Sequence, residues 1–97
     1  MKIEVPSEFR SDLEKAYNYL ISVGCTEVFL FGSLAENTQN SQSDIDLAVR
    51  GLEKKQYFRV YGELLGLLSH PFDLIGLDYD NDFSREILSN GSLKRVS

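Results

Sequence analysis

The sequence predicts a layered α/β or α+β domain with helices packed on a small sheet, and three observations carry that prediction. Apolar residues recur at helical spacing in two stretches, three short β-prone runs fall between and after them, and helical and β-prone segments alternate along the chain. At 97 residues the chain is expected to form one domain, 1–97. A chain of this size buries roughly 60 to 65% of its surface on folding, enough for a core without covalent staples.

The first helix is expected to start at Ser7 as N-cap and to carry Phe9, Leu13, Ala16, Tyr17, Leu20 and Ile21 on its apolar face until Gly24 stops it. Residues 27–31, Glu-Val-Phe-Leu-Phe, are too short and too β-prone for a helix and read as a buried strand ended by Gly32. Residues 37–43 hold only Asn, Gln, Ser, Thr and similar polar types, the composition of a solvated loop. A second strand follows at 44–49. The second helix, 54–68, places Tyr57, Tyr61, Leu64, Leu65 and Leu68 on one face, with Phe58, Val60 and Leu67 spreading beyond it. Its Gly62 and Gly66, four apart, are expected to let it pack closely on the sheet. A third strand occupies 72–76, and a last helix is expected over about 82–90, capped by Asp82 and stopped by Gly91. The pattern leaves open which strands run parallel.

Composition excludes several function classes. Ten basic against 15 acidic side chains give a net charge of −5, which argues against non-specific nucleic-acid binding, because phosphate neutralisation needs clustered Lys and Arg. A polyanionic ligand would therefore need a metal ion as intermediary. No apolar run approaches the roughly 20 residues that cross a bilayer, and residues 1–6 lack the apolar stretch of an export signal, so neither membrane insertion nor export is expected. One cysteine, Cys25, rules out an internal disulfide and suits a reducing, cytoplasmic compartment.

The chemistry concentrates in Phe31-Gly32-Ser33, ten further residues, and Asp44-Ile45-Asp46-Leu47. Successive side chains on a strand point to opposite faces, so Asp44 and Asp46 project together while Ile45 and Leu47 enter the core. Two carboxylates held that close raise each other's pKa unless a cation sits between them, and oxygen-only ligands suit Mg²⁺ or Mn²⁺. A bare Asp-x-Asp is equally the pattern of a solvent-facing strand edge. Gly32 lets backbone approach a ligand closely, and Ser33 opens a segment whose amides could face an anion, or serves as an ordinary N-cap. A third carboxylate, Asp73, interrupts the apolar strand 72–76, where a charge wants a compensating partner such as a shared metal or a salt bridge.

Taken in order, hydrophobic-Gly-Ser, ten residues, Asp-hydrophobic-Asp-hydrophobic and a separate hydrophobic-Asp-hydrophobic strand resemble the minimal nucleotidyltransferase family of the DNA polymerase β-like superfamily. The resemblance covers nearly the whole chain. It implies a small mixed sheet with helices mainly on one face, and an active site along the carboxylate-bearing strands. It makes Asp44, Asp46 and Asp73 catalytic metal ligands for two Mg²⁺ ions, and gives Gly32 and Ser33 to the β and γ phosphates of a nucleoside triphosphate, with ATP the family's usual one. Asp73 would act on the acceptor hydroxyl as ligand or base. Relatives of this kind are often antitoxins of HEPN-family partners, and some transfer AMP to a tyrosine of that partner. The resemblance thus implies transfer of a nucleoside monophosphate to a partner's hydroxyl, or alternatively a module that masks its partner without catalysis. A homo-oligomer is also compatible with it.

The chain departs from the family where many relatives carry a basic residue in the short helix after Gly-Ser, for Glu36 stands there. Arg50, Lys54 or Lys55 could compensate, or be solvated charges flanking a helix. Residues 78–82 lack the Gly and Glu of a calcium loop, and His70 has no second His or Cys at ligand spacing, nor an evident Ser or Asp partner in the sequence, so it reads as a loop histidine.

Overall fold

The computed structural model describes residues 5–32, 44–78 and 93–96. Helix α1 spans Ser7–Ser22, strand β1 Glu27–Phe31 and strand β2 Ile45–Arg50. A 3-10 turn, Lys54–Gln56, leads into helix α2, Tyr57–Leu67, which is followed by strand β3, Phe72–Gly76, and a short strand β4, Lys94–Arg95. The expected helix over 82–90, its Gly91 stop and the loop 37–43 lie outside the described residues.

The sheet order is β3-β2-β1-β4. β1 runs antiparallel to β2 and β4, whereas β2 and β3 are parallel, so the sheet is mixed. One face carries Val28, Leu30, Ile45, Leu47, Val49, Phe72 and Leu74, which form the main core with Phe9, Leu13, Ala16 and Leu20 of α1 and Val60 and Leu64 of α2. Both helices therefore cover the same face. The other face is a smaller apolar cluster in which Phe29, Phe31, Ile75 and Leu93 are only partly buried around Ala48 and Leu77.

Local sequence explains the element ends. α1 begins one residue earlier than the expected cap, with Pro6 at the N-cap position in an extended conformation and Ser7 as the first helical residue. Pro6 has no N–H to satisfy, and its carbonyl accepts from Phe9 N–H at 3.0 Å. At the other end Gly24 takes a φ of 107°, its N–H donates to Ile21 O, and Cys25 N–H donates to Leu20 O. This is a Schellman turn, and it needs a residue that adopts left-handed backbone at little cost. β4 was invisible to periodicity because its two side chains are both basic and exposed. Its backbone carries the pairing, with Val96 fully buried and its N–H on Val28 O at 2.9 Å.

An unexpected polar cluster ties α1 to the start of β3. Asp12 is only 3% exposed, within the apolar face of α1. Its carboxylate accepts from Ser69 N–H at 2.9 Å, His70 N–H at 2.8 Å and the Ser69 hydroxyl at 3.0 Å. His70 Nδ1 lies 2.7 Å from the same carboxylate, and its ring stacks on Phe9 at 4.6 Å between centroids. His70 thus has the Asp and Ser neighbours that sequence spacing did not suggest. Ser69 and Asp12 both face Nδ1, which gives the serine no base and makes the cluster structural.

Burial opposes ionisation of Asp12, but the hydrogen bonds from His70 and Ser69 outweigh it and hold the carboxyl below the usual carboxylate value. Its contribution to stability is therefore complete above the unfolded carboxylate pKa of about 4 and lost as pH falls through the lower folded value. Asp12→Asn is expected to cost about 2 kcal/mol near neutral pH by leaving buried N–H donors mispaired, lowering Tm by about 10 °C in thermal melts. The gap should narrow below about pH 3; a gap that persists unchanged there would assign the loss to packing instead.

Candidate active site

The three aspartates meet because of strand register. In the parallel pair Asp46 lies beside Asp73, and across the antiparallel pair Asp46 lies opposite Phe31. Ile45 N–H donates to Pro71 O at 2.9 Å just before these partners, which anchors β3 at this register. Asp44 precedes β2 by one position and shares the face of Asp46 by strand alternation. The carboxylates occupy the sheet face opposite the helices, at the corner where β1 ends and β2 and β3 begin. Asp44 and Asp73 are exposed and Asp46 is half-buried.

Gly32 completes this corner. Its φ is 72°, and a Cβ there would overlap Oδ2 of Asp46, so the backbone turns off β1 directly against that carboxylate. Glycine is required here on two counts, conformation and space. Ser33, Glu36 and Ser43 lie outside the described residues. Tyr57, assigned by sequence to a hydrophobic face, instead sends its hydroxyl to Leu74 O, beside Asp73. Burial, then Tyr61, then Asp73 raise the Tyr57 pKa, so its hydroxyl stays protonated and donating. Nothing in an isolated aromatic position would have announced that role.

The cations considered from sequence do not serve this corner equally. Arg50 is four residues along β2 from Asp46, about 13 Å away in a strand, and pairs with Glu27 at 3.6 Å and Asp78 at 3.5 Å. Asp78 also accepts from Gly51 N–H at 2.7 Å, so it fixes the turn after β3. Lys55 pairs with exposed Glu53 at 3.4 Å. Among the described residues no side-chain hydrogen bond or ion pair reaches the carboxylate of any of the three aspartates.

Electrostatics follow from that arrangement. Burial first, then Asp73 and Asp44, push the Asp46 carboxyl up to about 6. Among the described residues no three Asp, Glu, His or Cys side chains close into an ion cage. The donor set nonetheless fits Mg²⁺, which commonly keeps several waters and is held by one or two carboxylates together with substrate phosphates. Half-buried, unpaired like charges are what a divalent cation would relieve.

A raised carboxyl pKa means that the metal-free folded protein holds a proton the unfolded chain has lost between about pH 4 and pH 6. Stability should therefore fall as pH rises through that window and level off above it. Asp46→Asn is expected to remove most of this fall, melting several degrees above the unsubstituted protein at pH 7.5 in EDTA and little differently at pH 4.5. Equal gaps at both pH values would show that like-charge repulsion is not the cause.

Residues 14–93 match the family model described as polymerase beta, nucleotidyltransferase. No curated protein matches the sequence. Among solved structures, a toxin–antitoxin with AMP-PNP superposes with a TM-score of 0.70 at 24% identity, over 87% of this chain and 71% of that one. The toxin–antitoxin MntA–HpeT, in a form with two aspartates two positions apart changed to glutamate, gives 0.67 at 20% identity over 87% and 70%. A protein described as a minimal nucleotidyltransferase gives 0.66 at 21% identity over 100% and 99% of the two chains. These likenesses agree with the mixed sheet and one-sided helices, and the family model spans most of the sequence: the chain belongs to the polymerase β nucleotidyltransferase family.

Proposed function

We propose that this domain uses a divalent metal, Mg²⁺, to transfer a nucleoside monophosphate, AMP from ATP, to a hydroxyl of a protein partner, as the antitoxin of a pair with a HEPN-family protein. The observation that carries this reading is the carboxylate corner: Asp46 half-buried between Asp44 and Asp73 and abutting the Gly32 backbone. AMP-PNP in a toxin–antitoxin of the same fold supports the choice of ATP and of a protein partner. The HEPN identity rests on the resemblance of the motifs. A cytoplasmic location follows from the same reading, and Cys25, whose thiol is pushed up to about 11 by burial and then by Asp78, is unsuited to redox exchange.

In the reaction the acceptor hydroxyl oxygen bonds to the α phosphorus, the bond from that phosphorus to the bridging oxygen breaks, and pyrophosphate leaves. Asp44 and Asp46 would hold the cation of the nucleotide, and Asp73 would complete a second ion's ligands. A metal held there would supply charge neutralisation on the phosphates and acidity to the acceptor hydroxyl. Asp73, on the exposed edge of the corner, would act on the acceptor hydroxyl either as ligand of that ion or as the base that accepts its proton. Gly32 keeps the backbone low enough for phosphates to reach the carboxylates, and Ser33 is assigned to the β and γ phosphates.

Incubation with α-labelled ATP, GTP, CTP and UTP, Mg²⁺ and the product of a neighbouring gene tests this. Label is expected on the partner from ATP, falling about a hundredfold or more with Asp46→Asn or Asp44→Asn. A partner that binds both forms equally and stays unlabelled would overturn transfer in favour of masking. Gly32→Ala should lower labelling by about tenfold or more at unchanged partner binding, because its Cβ displaces the Asp46 carboxylate; undiminished labelling would remove Gly32 from the site.

A further inference from the structure

The ridge of α2 that points away from the core has the wrong chemistry for a solvent face. Val60 and Leu64 are buried on one side of the helix, and at about 100° per residue the opposite side centres on Gly62. Around Gly62 stand Phe58, 84% exposed, Leu65, 63% exposed, and Gly66. A Cβ at Gly62 or Gly66 would meet nothing within 4 Å, so these glycines do not serve packing on the sheet as their spacing suggested. Glycine is among the least favourable residues in a helix interior, and nothing described in this domain requires either one.

We propose that this ridge is a symmetric interface with a second copy of the chain, the two α2 helices crossing antiparallel on a two-fold axis at Gly62. Helix geometry makes the ridge self-complementary. Antiparallel pairing about residue 62 lays Gly62 on the partner subunit's Gly62, which permits close backbone approach. On one flank Phe58 falls beside the partner subunit's Leu65, and by symmetry Leu65 beside the partner's Phe58. On the other flank Arg59 falls about 3 Å along the axis from the partner subunit's Glu63, with the reciprocal pair on the far side of the two-fold. Arg59 and Glu63 are exposed and make no ion pair with any described residue, while both act electrostatically on the Tyr19 hydroxyl of α1. One flank is apolar and one is charge-complementary, which fixes the antiparallel direction: a parallel pairing in register would lay the Arg59 flank on the apolar flank of the partner subunit's Phe58 and the partner subunit's Leu65. The ridge lies beyond the helices, across the sheet from the carboxylates, so dimerisation leaves the active-site face open.

Sedimentation velocity of the 97-residue chain over a concentration series up to roughly 100 µM tests the pairing. A monomer–dimer equilibrium is expected. Arg59→Glu should weaken it about tenfold or more, and Arg59→Glu with Glu63→Arg should restore it to within about threefold. Phe58→Ser with Leu65→Ser should leave a monomer that melts like the unsubstituted chain at concentrations below its dimerisation midpoint, since both side chains are exposed. Gly62→Cys, placed on the axis, should form a disulfide-linked dimer on mild oxidation. A chain that remains monomeric throughout overturns the proposal and leaves the ridge to another protein's helix; a dimer indifferent to the charge exchange places the contact elsewhere and overturns it equally.

Discussion

The register between two parallel strands governs this molecule. Asp46 and Asp73 are 27 positions apart in sequence, and only the alignment of β2 with β3 brings them side by side on one face. A slip of one residue would send Asp73 into the core and Leu74 out to the carboxylates. Two features guard against that. Phe72 and Leu74 are buried against the helices, so the core face of β3 is fixed by burial, and Ile45 N–H on Pro71 O anchors the pair at its first rung. The Asp12 cluster adds a third restraint, because Ser69 and His70, which it holds, immediately precede Pro71. One buried carboxylate on α1 thereby helps to position the exposed carboxylates on the far side of the sheet.

The two kinds of carboxylate differ in how their charge is met. Asp12 is less exposed to solvent than Asp46, yet its pKa is lowered while that of Asp46 is raised. Burial acts in the same direction on both. The difference lies in partners: Asp12 receives backbone, hydroxyl and imidazole donors, whereas Asp46 faces two further acids. A satisfied buried charge contributes to the fold, and an unsatisfied one draws a cation. That contrast separates a structural from a functional acid more sharply than burial alone.

Much of this was legible in the sequence. The strands β1 and β3 fall where β-prone runs were bounded by Gly and Pro, and α1 follows its apolar spacing, which buries Phe9 and Leu13; on α2 the expected face contained Leu64 but also Leu65, which is exposed, and left out Val60, which is buried. Alternation in β2 was enough to place Asp44 and Asp46 together. The parallel direction of β3 was not legible, since a single Asp in an apolar run looks the same in either direction. Nor was β4, where Lys94 and Arg95 conceal a backbone pairing and only Val96 reaches the core. The partnership of Asp12 with His70 escaped because it joins positions 58 residues apart. An acid within the apolar stripe of α1 was the available signal. The glycines of α2 show the opposite failure: their spacing suggested packing, and only the open space around them corrected it.

A small domain has few faces, and this one divides them by chemistry. The core face of the sheet is filled by α1 and α2, and the opposite face combines a modest apolar cluster with the acidic corner. For the proposed reaction the corner has to stay open to nucleotide and acceptor, so its like charges cannot be hidden by packing without losing access. A second copy packed over that corner would exclude the nucleotide and the partner's acceptor hydroxyl that the proposed reaction brings there. A contact on the outer ridge of α2 does not, because the whole thickness of helix and sheet lies between them. The apolar side chains the domain leaves exposed on α2 are therefore placed where association and catalysis can coexist, and the separation follows from the one-sided packing of helices on a mixed sheet.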